Sequence, residues 1–316
     1  MVGGYVVATG GIALDLKARA NAALVRGSSN RGRLTRCPGG VARNIAENLA
    51  RLGTPVHLVG AVGDDPLGAE LVEQTRAAGV TVVPVGQREL TGTYTAMLDE
   101  NGELVAGVAD LSATEGLAPD DLAVMLPLVA GAALLVADAN LPVSFLHNLV
   151  VRARDARVPV VLDPVSVPKA DRVSAVLDPR HPVLLVSPNR DELGALTGHS
   201  TGSRSELVGA ARRLCAMGAE NVWVRLGADG SLLVPRADEP VPLGAHKVTV
   251  VDVTGGGDAM LAGLIHRWLL GDPLAEAAAY GQAVAALTVA REETVRPDLG
   301  PDLVEAQLAR PVGRWR

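Results

Sequence analysis

The sequence predicts an α/β protein: a doubly wound, mostly parallel sheet with helices on both faces. Three observations carry that expectation. Short apolar runs alternate with segments of helical periodicity along most of the chain, several of those runs are apolar without a break, and glycine-rich turns stand where strands give way to helices. An unbroken apolar run is what a strand covered on both faces needs, whereas a half-exposed strand alternates. Strands are read at residues 5–8, 56–59, 133–137, 158–162, 183–187, 221–224 and 231–234. Helices are read at 42–52, 67–78, 144–156, 191–197, 204–217, 257–270 and 274–290; in the first of these Ile45, Leu49 and Leu52 recur at helical spacing and face the core. Two stretches break the rhythm, at about 15–37 and about 90–110, the second carrying the hairpin signal Asp99-Glu100-Asn101-Gly102. They are expected to form a small β lid, with residues 1–316 making one domain.

Composition narrows the function classes. Hydrophobic residues make up 48% of the chain and charged residues 20%, as in an ordinary soluble enzyme. A net charge of -6 argues against a surface that tracks nucleic-acid phosphates, and the basic cluster at 26–36 reads as a solvated lid strand. Cys37 and Cys215 are too few and too far apart for a disulfide framework or a zinc site. The first residues run directly into a strand pattern, and no apolar stretch reaches the roughly 18 residues of a membrane span. A cytoplasmic protein with no membrane or nucleic-acid partner is expected.

The most informative segment is Val251-Asp252-Val253-Thr254-Gly255-Gly256-Gly257-Asp258-Ala259-Met260, where a strand-like run meets a helix through three glycines. Backbone N–H groups of Gly255, Gly256 and Gly257 can turn toward an anion there, helped by the open donors and positive end of the helix. Asp258 stands beside them as a carboxylate able to take a proton from an attacking hydroxyl. The competing reading is a plain glycine turn capped by Asp258. Upstream, Pro38-Gly39-Gly40-Val41-Ala42-Arg43-Asn44-Ile45-Ala46-Glu47-Asn48 places a second glycine turn before a helix. Gly39 and Gly40 permit close approach of a ligand, and Asn44 can both donate and accept hydrogen bonds.

Taken together, these two segments resemble the two signatures of the PfkB (ribokinase-like) family of carbohydrate and nucleoside kinases. The resemblance extends from about residue 5 to about residue 300 through the segments at 10–18, 40–47, 106–110, 138–141, 163–169 and 187–193, which are similar to the pseudouridine-kinase branch. It implies a ribokinase-like fold and transfer of the γ-phosphoryl group of ATP to the 5′-hydroxyl of pseudouridine. Magnesium is implied as a cofactor, a monovalent cation such as potassium is a further candidate, and a homodimer through the lid is expected. A kinase for another nucleoside or ribose-like sugar is the alternative within the fold, and a nucleoside-binding sensor on a decayed kinase scaffold is the alternative outside catalysis.

The resemblance also implies roles. Asp258 is the base and the glycine run the anion hole. Asp15 takes two adjacent ribose hydroxyls with Gly39, Gly40 and Asn44, while Thr93 and Tyr94 enter from the lid and Asp138 and Asn140 from a strand end. Asn189 and Glu192 resemble an Asn-x-x-Glu motif that holds magnesium mainly through water; read alone, they are an acidic helix start. Gly227 and Gly230 permit a phosphate-binding turn. Three departures stand out. Arg225 replaces a small hydroxyl residue, and either grips phosphate or points to solvent. Gly256 replaces the commoner alanine, and Ala13 a frequent asparagine. Lys169 either reaches a phosphate or is a solvated loop lysine. No histidine is given a catalytic role, and the absence of Gly-x-Gly-x-x-Gly after the first strand argues against an oxidoreductase.

Overall fold

The computed structural model describes residues 4–86, 88–313 and 315. Thirteen strands occur among them: β1 (Val6–Thr9), β2 (Ala13–Ala20), β3 (Gly32–Gly39), β4 (Val56–Gly60), β5 (Thr81–Pro84), β6 (Gly92–Leu98), β7 (Leu104–Asp110), β8 (Leu134–Asp138), β9 (Val160–Asp163), β10 (Val183–Val186), β11 (Ala219–Arg225), β12 (Ser231–Pro235) and β13 (Val241–Leu243). Between them run α1 (Val41–Arg51), α2 (Pro66–Ala77), α3 (Ser112–Glu115), α4 (Pro119–Ala130), α5 (Val143–Asp155), α6 (Ala170–Ser174), α7 (Arg190–Thr197), α8 (Arg204–Gly218), α9 (Gly256–Leu269), α10 (Leu274–Val289) and α11 (Pro301–Leu308).

Nine strands form the main sheet in the order β13-β12-β11-β10-β9-β8-β1-β4-β5. It is parallel from β11 to β5, with β12 and β13 antiparallel at one edge. The expected doubly wound sheet is therefore present, and its unbroken apolar strands have the predicted cause. In β8, Leu134 and Val136 pack on one face with α1, α9 and α10, while Leu135 and Ala137 pack on the other with α4, α5 and α8. The chain leaves β1 toward β4 on one side and returns as β8 on the other. A crevice opens at the carboxyl ends of the strands at such a reversal. Gly10, Asp138 and Asp163 stand there, Asp138 and Asp163 in register on neighbouring strands.

The second sheet is the lid, in the order β3-β2-β6-β7, with β2 and β6 parallel and the outer pairs antiparallel. Its hairpin forms as the sequence signal requires: the Asp99 carboxylate accepts from the backbone N–H of Asn101 and of Glu103, each at 2.8 Å, and Gly102 takes φ 88°. The outer strand β7 is exposed along its whole length.

Four elements lie outside the predicted set beyond the short α3 and α6. α4 carries Pro119 and Pro127, which break a helical reading, yet Pro119 sits at the tolerated start and Pro127 in the last turns. β5, β13 and α11 are short, and their pattern is set by packing against neighbours. Helices α9 and α10 approach closely because Gly281 carries no side chain; a Cβ there would overlap the Met260 carbonyl and stand 2.8 Å from Trp223. That contact fixes the helix whose first turn bears Asp258. Among the described residues no helix is long and apolar enough to cross a membrane, and the two cysteines are unpaired.

Candidate active site

Two glycine turns bring two helix N-termini together. Gly40, at φ 94°, precedes α1, and any Cβ there would overlap the Gly11 carbonyl. Gly255, at φ 77°, precedes α9, and a Cβ there would overlap the Thr294 carbonyl. Both positions combine a left-handed backbone with no space, so glycine is required. Asn44 of α1 then donates from Nδ2 to Oδ2 of Asp258 at 2.8 Å. The amide is oriented by its other end, because Oδ1 accepts from Arg43 at 3.0 Å. Arg43 is in turn paired with Glu47, whose other oxygen takes Arg51 at 2.6 Å. Arg43, Asn44 and Glu47 are all buried, so this polar row runs through the interior of α1.

Asp258 is only 8% exposed, and burial pushes its carboxyl up to about 7; nearby Asp163 pushes the same way, while Asn44 and Arg225 oppose. Such a group changes charge near neutrality, as a general base requires. The glycine run is less open than predicted. Gly256 N–H is drawn to the Val253 carbonyl at 3.2 Å and Ala259 N–H donates to the Gly255 carbonyl at 2.9 Å, leaving Gly257 and Asp258 as the first-turn donors without an intrahelical acceptor. Glycine at 256 matches its surroundings, since a Cβ would stand 2.8 Å from Val289.

On the lid side, Asp15 is buried, and burial raises its carboxyl to about 6 against the pull of Lys17 and Arg43. No hydrogen bond from the described residues reaches it. Gly39 gives way to it, because a Cβ there would overlap the carboxylate. Lys17, two residues along β2, pairs with Asp252 at 2.6 Å and ties the lid to the turn before α9. Tyr94 lies in register with Asp15 and on its face, its hydroxyl turned to Gly107 of β7. Thr93 is in register with Leu14 and so falls on the opposite face, contrary to the expectation that both enter together.

Asp138 and Asn140 are also placed differently from expectation. Asp138 Oδ2 accepts from the backbone of Gly11 and Ala42, each at 2.9 Å, and Oδ1 from Asn140 at 2.8 Å. At 1% exposure the carboxylate clamps the turn after β1 to the start of α1 and has no open face for a ligand. Asn140 accepts from Lys169 Nζ at 2.5 Å. Lys169 is therefore neither in the cavity beside Gly257 nor a solvated loop residue; it stands at the end of β8, half-buried.

Arg225 does not take the second of its two predicted paths, toward solvent, and stands at the edge of a cavity. Its guanidinium, 14% exposed, binds Asp163 at 3.0 Å and Glu192 at 3.1 Å, and lies where a Cβ on Gly257 would be. Glu192 also closes a capping box with Asn189, accepting from its backbone N–H at 2.8 Å and from Nδ2 at 2.7 Å. Asn189 and Glu192 thus lie behind Arg225, as a helix start held by an arginine. Asp163, to which the sequence reading gave no role, orders the opposite side; it also accepts from Val165, held at φ 67°, a strained backbone for a β-branched residue. Its place at a strand end was the signal for it.

In front of Arg225 opens a cavity of about 1110 Å³. Gly227 and Gly230 edge it, with Gly230 at φ 95° where a Cβ would overlap the Leu243 carbonyl. Its far wall is apolar, with Val248, Val250, Met260 and Val289. Those residues were unreadable in advance: Val248 and Val250 lie on an irregular segment, and apolar side chains on helices, such as Met260 of α9 and Val289 of α10, look like core.

The pfkB family carbohydrate kinase pattern matches residues 4–299. The chain is 33% identical over 297 residues to pseudouridine kinase of Escherichia coli (strain K12), covering 93% of each. It is 31% identical over 300 residues to an uncharacterized sugar kinase, YeiI, of the same organism, covering 94% of this chain and 82% of that one. Among solved structures, ribokinase of Arabidopsis thaliana complexed with ribose and ATP superposes with a TM-score of 0.82 at 23% identity, over 98% of this chain and 99% of that one, a likeness of fold.

The Asp258 environment generates a paired expectation. A carboxyl raised by burial favours the folded state while it is protonated; that contribution is complete below the ordinary value of 3.8 and is lost as pH rises through about 7. Asp258→Asn removes the charge, still accepts from Asn44 and should unfold at higher denaturant than wild type at pH 8, with the advantage gone near pH 4. Turnover of the same variant should fall by roughly a hundredfold or more. Chemical denaturation and steady-state kinetics check both; full activity, or a variant less stable than wild type at pH 8, would contradict this picture of the site.

Proposed function

The chain belongs to the pfkB family of carbohydrate kinases, and from that premise we propose that it moves the γ-phosphoryl group of ATP to the 5′-hydroxyl of pseudouridine, giving pseudouridine 5′-phosphate and ADP. The observation that carries the reading is Asp258: a buried carboxyl raised to about 7, at the start of α9, with open first-turn N–H groups beside it. In this reading the hydroxyl proton passes to Asp258 as the oxygen attacks phosphorus, and the departing nucleoside diphosphate keeps the electron pair of the broken bond. Charge developing on the transferred group is met by the N-terminus of α9 and by Arg225. A sensor on a decayed scaffold has no use for a base in that position.

Asp15, buried and short of hydrogen-bond donors, supplies the acceptor for the ribose hydroxyls, and Arg43, which feels both Asp15 and Asp258, links sugar binding to the base. The lid, latched by Lys17 and Asp252, keeps water from competing as acceptor. Asp163, Glu192 and Asp258 outnumber the one arginine among them, which fits a hydrated magnesium ion held by phosphate and water; no carboxylate cluster suited to direct ligation occurs among the described residues. When bound, that ion supplies charge neutralisation for the phosphates.

Pseudouridine as substrate rests on likeness to the Escherichia coli enzyme. A site matched to the extra ring N–H of pseudouridine should reject uridine by about 1–3 kcal/mol, roughly ten- to a hundredfold. Steady-state kcat/KM for pseudouridine, uridine, adenosine and ribose measures this; pseudouridine is expected to lead. If another compound leads, the substrate assignment falls and the kinase class stands.

The lid is also the proposed homodimer surface. Leu104, Val105 and Val108 are exposed on β7, an edge strand whose outer side is open among the described residues. Light scattering at working concentrations should give the mass of two chains; a monomer throughout would remove this assembly without touching the chemistry.

A further inference from the structure

The cavity in front of Arg225 has an outer wall made by residues beyond the family match, which ends at 299. Pro311, Val312, Gly313 and Trp315 line it. This segment is fastened at both ends. Val312 pairs antiparallel with His246, and Gly313 N–H donates to the Ala245 carbonyl at 2.9 Å. Gly244 makes the approach feasible, since a Cβ there would overlap the Gly313 carbonyl. At the other end the Arg204 guanidinium, at the start of α8, lies 4.4 Å over the Trp315 ring.

Two polar atoms in this wall are left without partners. Nε1 of Trp315 and Nδ1 of His246 are buried, and neither has a hydrogen-bond partner among the described residues. Both residues face the cavity. An indole N–H can only donate, and burial keeps His246 below its ordinary pKa, so its neutral ring offers one donor and one acceptor. Buried polar groups are rarely left unpaired in a native state, and a pair of them lining one cavity marks positions that a ligand satisfies. We propose that Pro311, Val312, Gly313 and Trp315 form a strap that completes the nucleotide site, with Trp315 donating its indole N–H and His246 a ring nitrogen to the bound purine nucleoside triphosphate.

The proposal rests on the ATP-dependent kinase reading, and calorimetry with ADP on the full chain separates the two. Trp315→Phe keeps a ring beneath Arg204 and removes the donor; it should weaken ADP binding roughly three- to tenfold and raise the KM for ATP to match, with the KM for nucleoside unchanged. Deleting residues 311–316 should weaken ADP further. Trp223 is sealed in the core and Trp268 lies outside the cavity, so a nucleotide-induced change in tryptophan emission should occur in wild type and vanish in Trp315→Phe. Wild-type affinity for ADP in both variants would overturn the strap alone. Equal loss of nucleoside and nucleotide affinity would make Trp315 a packing residue and overturn it too, and a wild-type chain that binds no nucleotide would overturn the kinase reading with it.

Discussion

A carboxylate that must lose its proton near neutrality and yet sit away from water needs a surrounding that tolerates both states, and Asp258 is held in that condition by opposed forces. Burial and the nearby charge of Asp163 raise its pKa, while the amide of Asn44 and the guanidinium of Arg225 lower it. Arg225 has a double role, because it also binds Glu192 and Asp163, the second of which raises Asp258. Removing one partner of such a buried pair leaves an uncompensated charge, which is why these residues stand or fall together.

The fold supplies the positions that this balance needs. Asp258 and Asn44 are on helices α9 and α1, each entered through a glycine with no space for a side chain. Asp138 binds the backbone of Ala42 in the first turn of α1 and that of Gly11 after β1, so the sheet end and the helix start move as one unit. Behind them the row Asn44, Arg43, Glu47 and Arg51 fixes which way the Asn44 amide points. The close packing of α9 on α10 at Gly281 fixes the helix that carries Asp258.

What the sequence disclosed follows from how local the cause is. The parallel core was legible because burial on both faces leaves unbroken apolar strands, and the two glycine turns because positive φ and close approach select glycine locally. Helix α4 was hidden by Pro119, which is harmless only because the helix begins there, and by Pro127, which lies inside the helix and costs it a backbone donor. The fates of Arg225, Lys169, Asp138 and Thr93 were not legible, since each is settled by partners distant in sequence: Asp163 and Glu192 for the arginine, Asn140 for the lysine, Gly11 and Ala42 for the aspartate, and the register with β2 for the threonine. The strap was hidden for the same reason, its meaning arising only where Val312 meets His246.

The account turns on the Asn44 amide holding Asp258 in its working range. The acid limb of kcat/KM reports the ionisation of the free enzyme's base, so its position in wild type and in Asn44→Ala measures that hold directly. Wild type should show a limb near 7, and the variant, having lost a donor that favours the carboxylate, should show it displaced to higher pH with activity recovering at alkaline pH. A limb in the same place in both proteins would contradict the claim that Asn44 tunes the base.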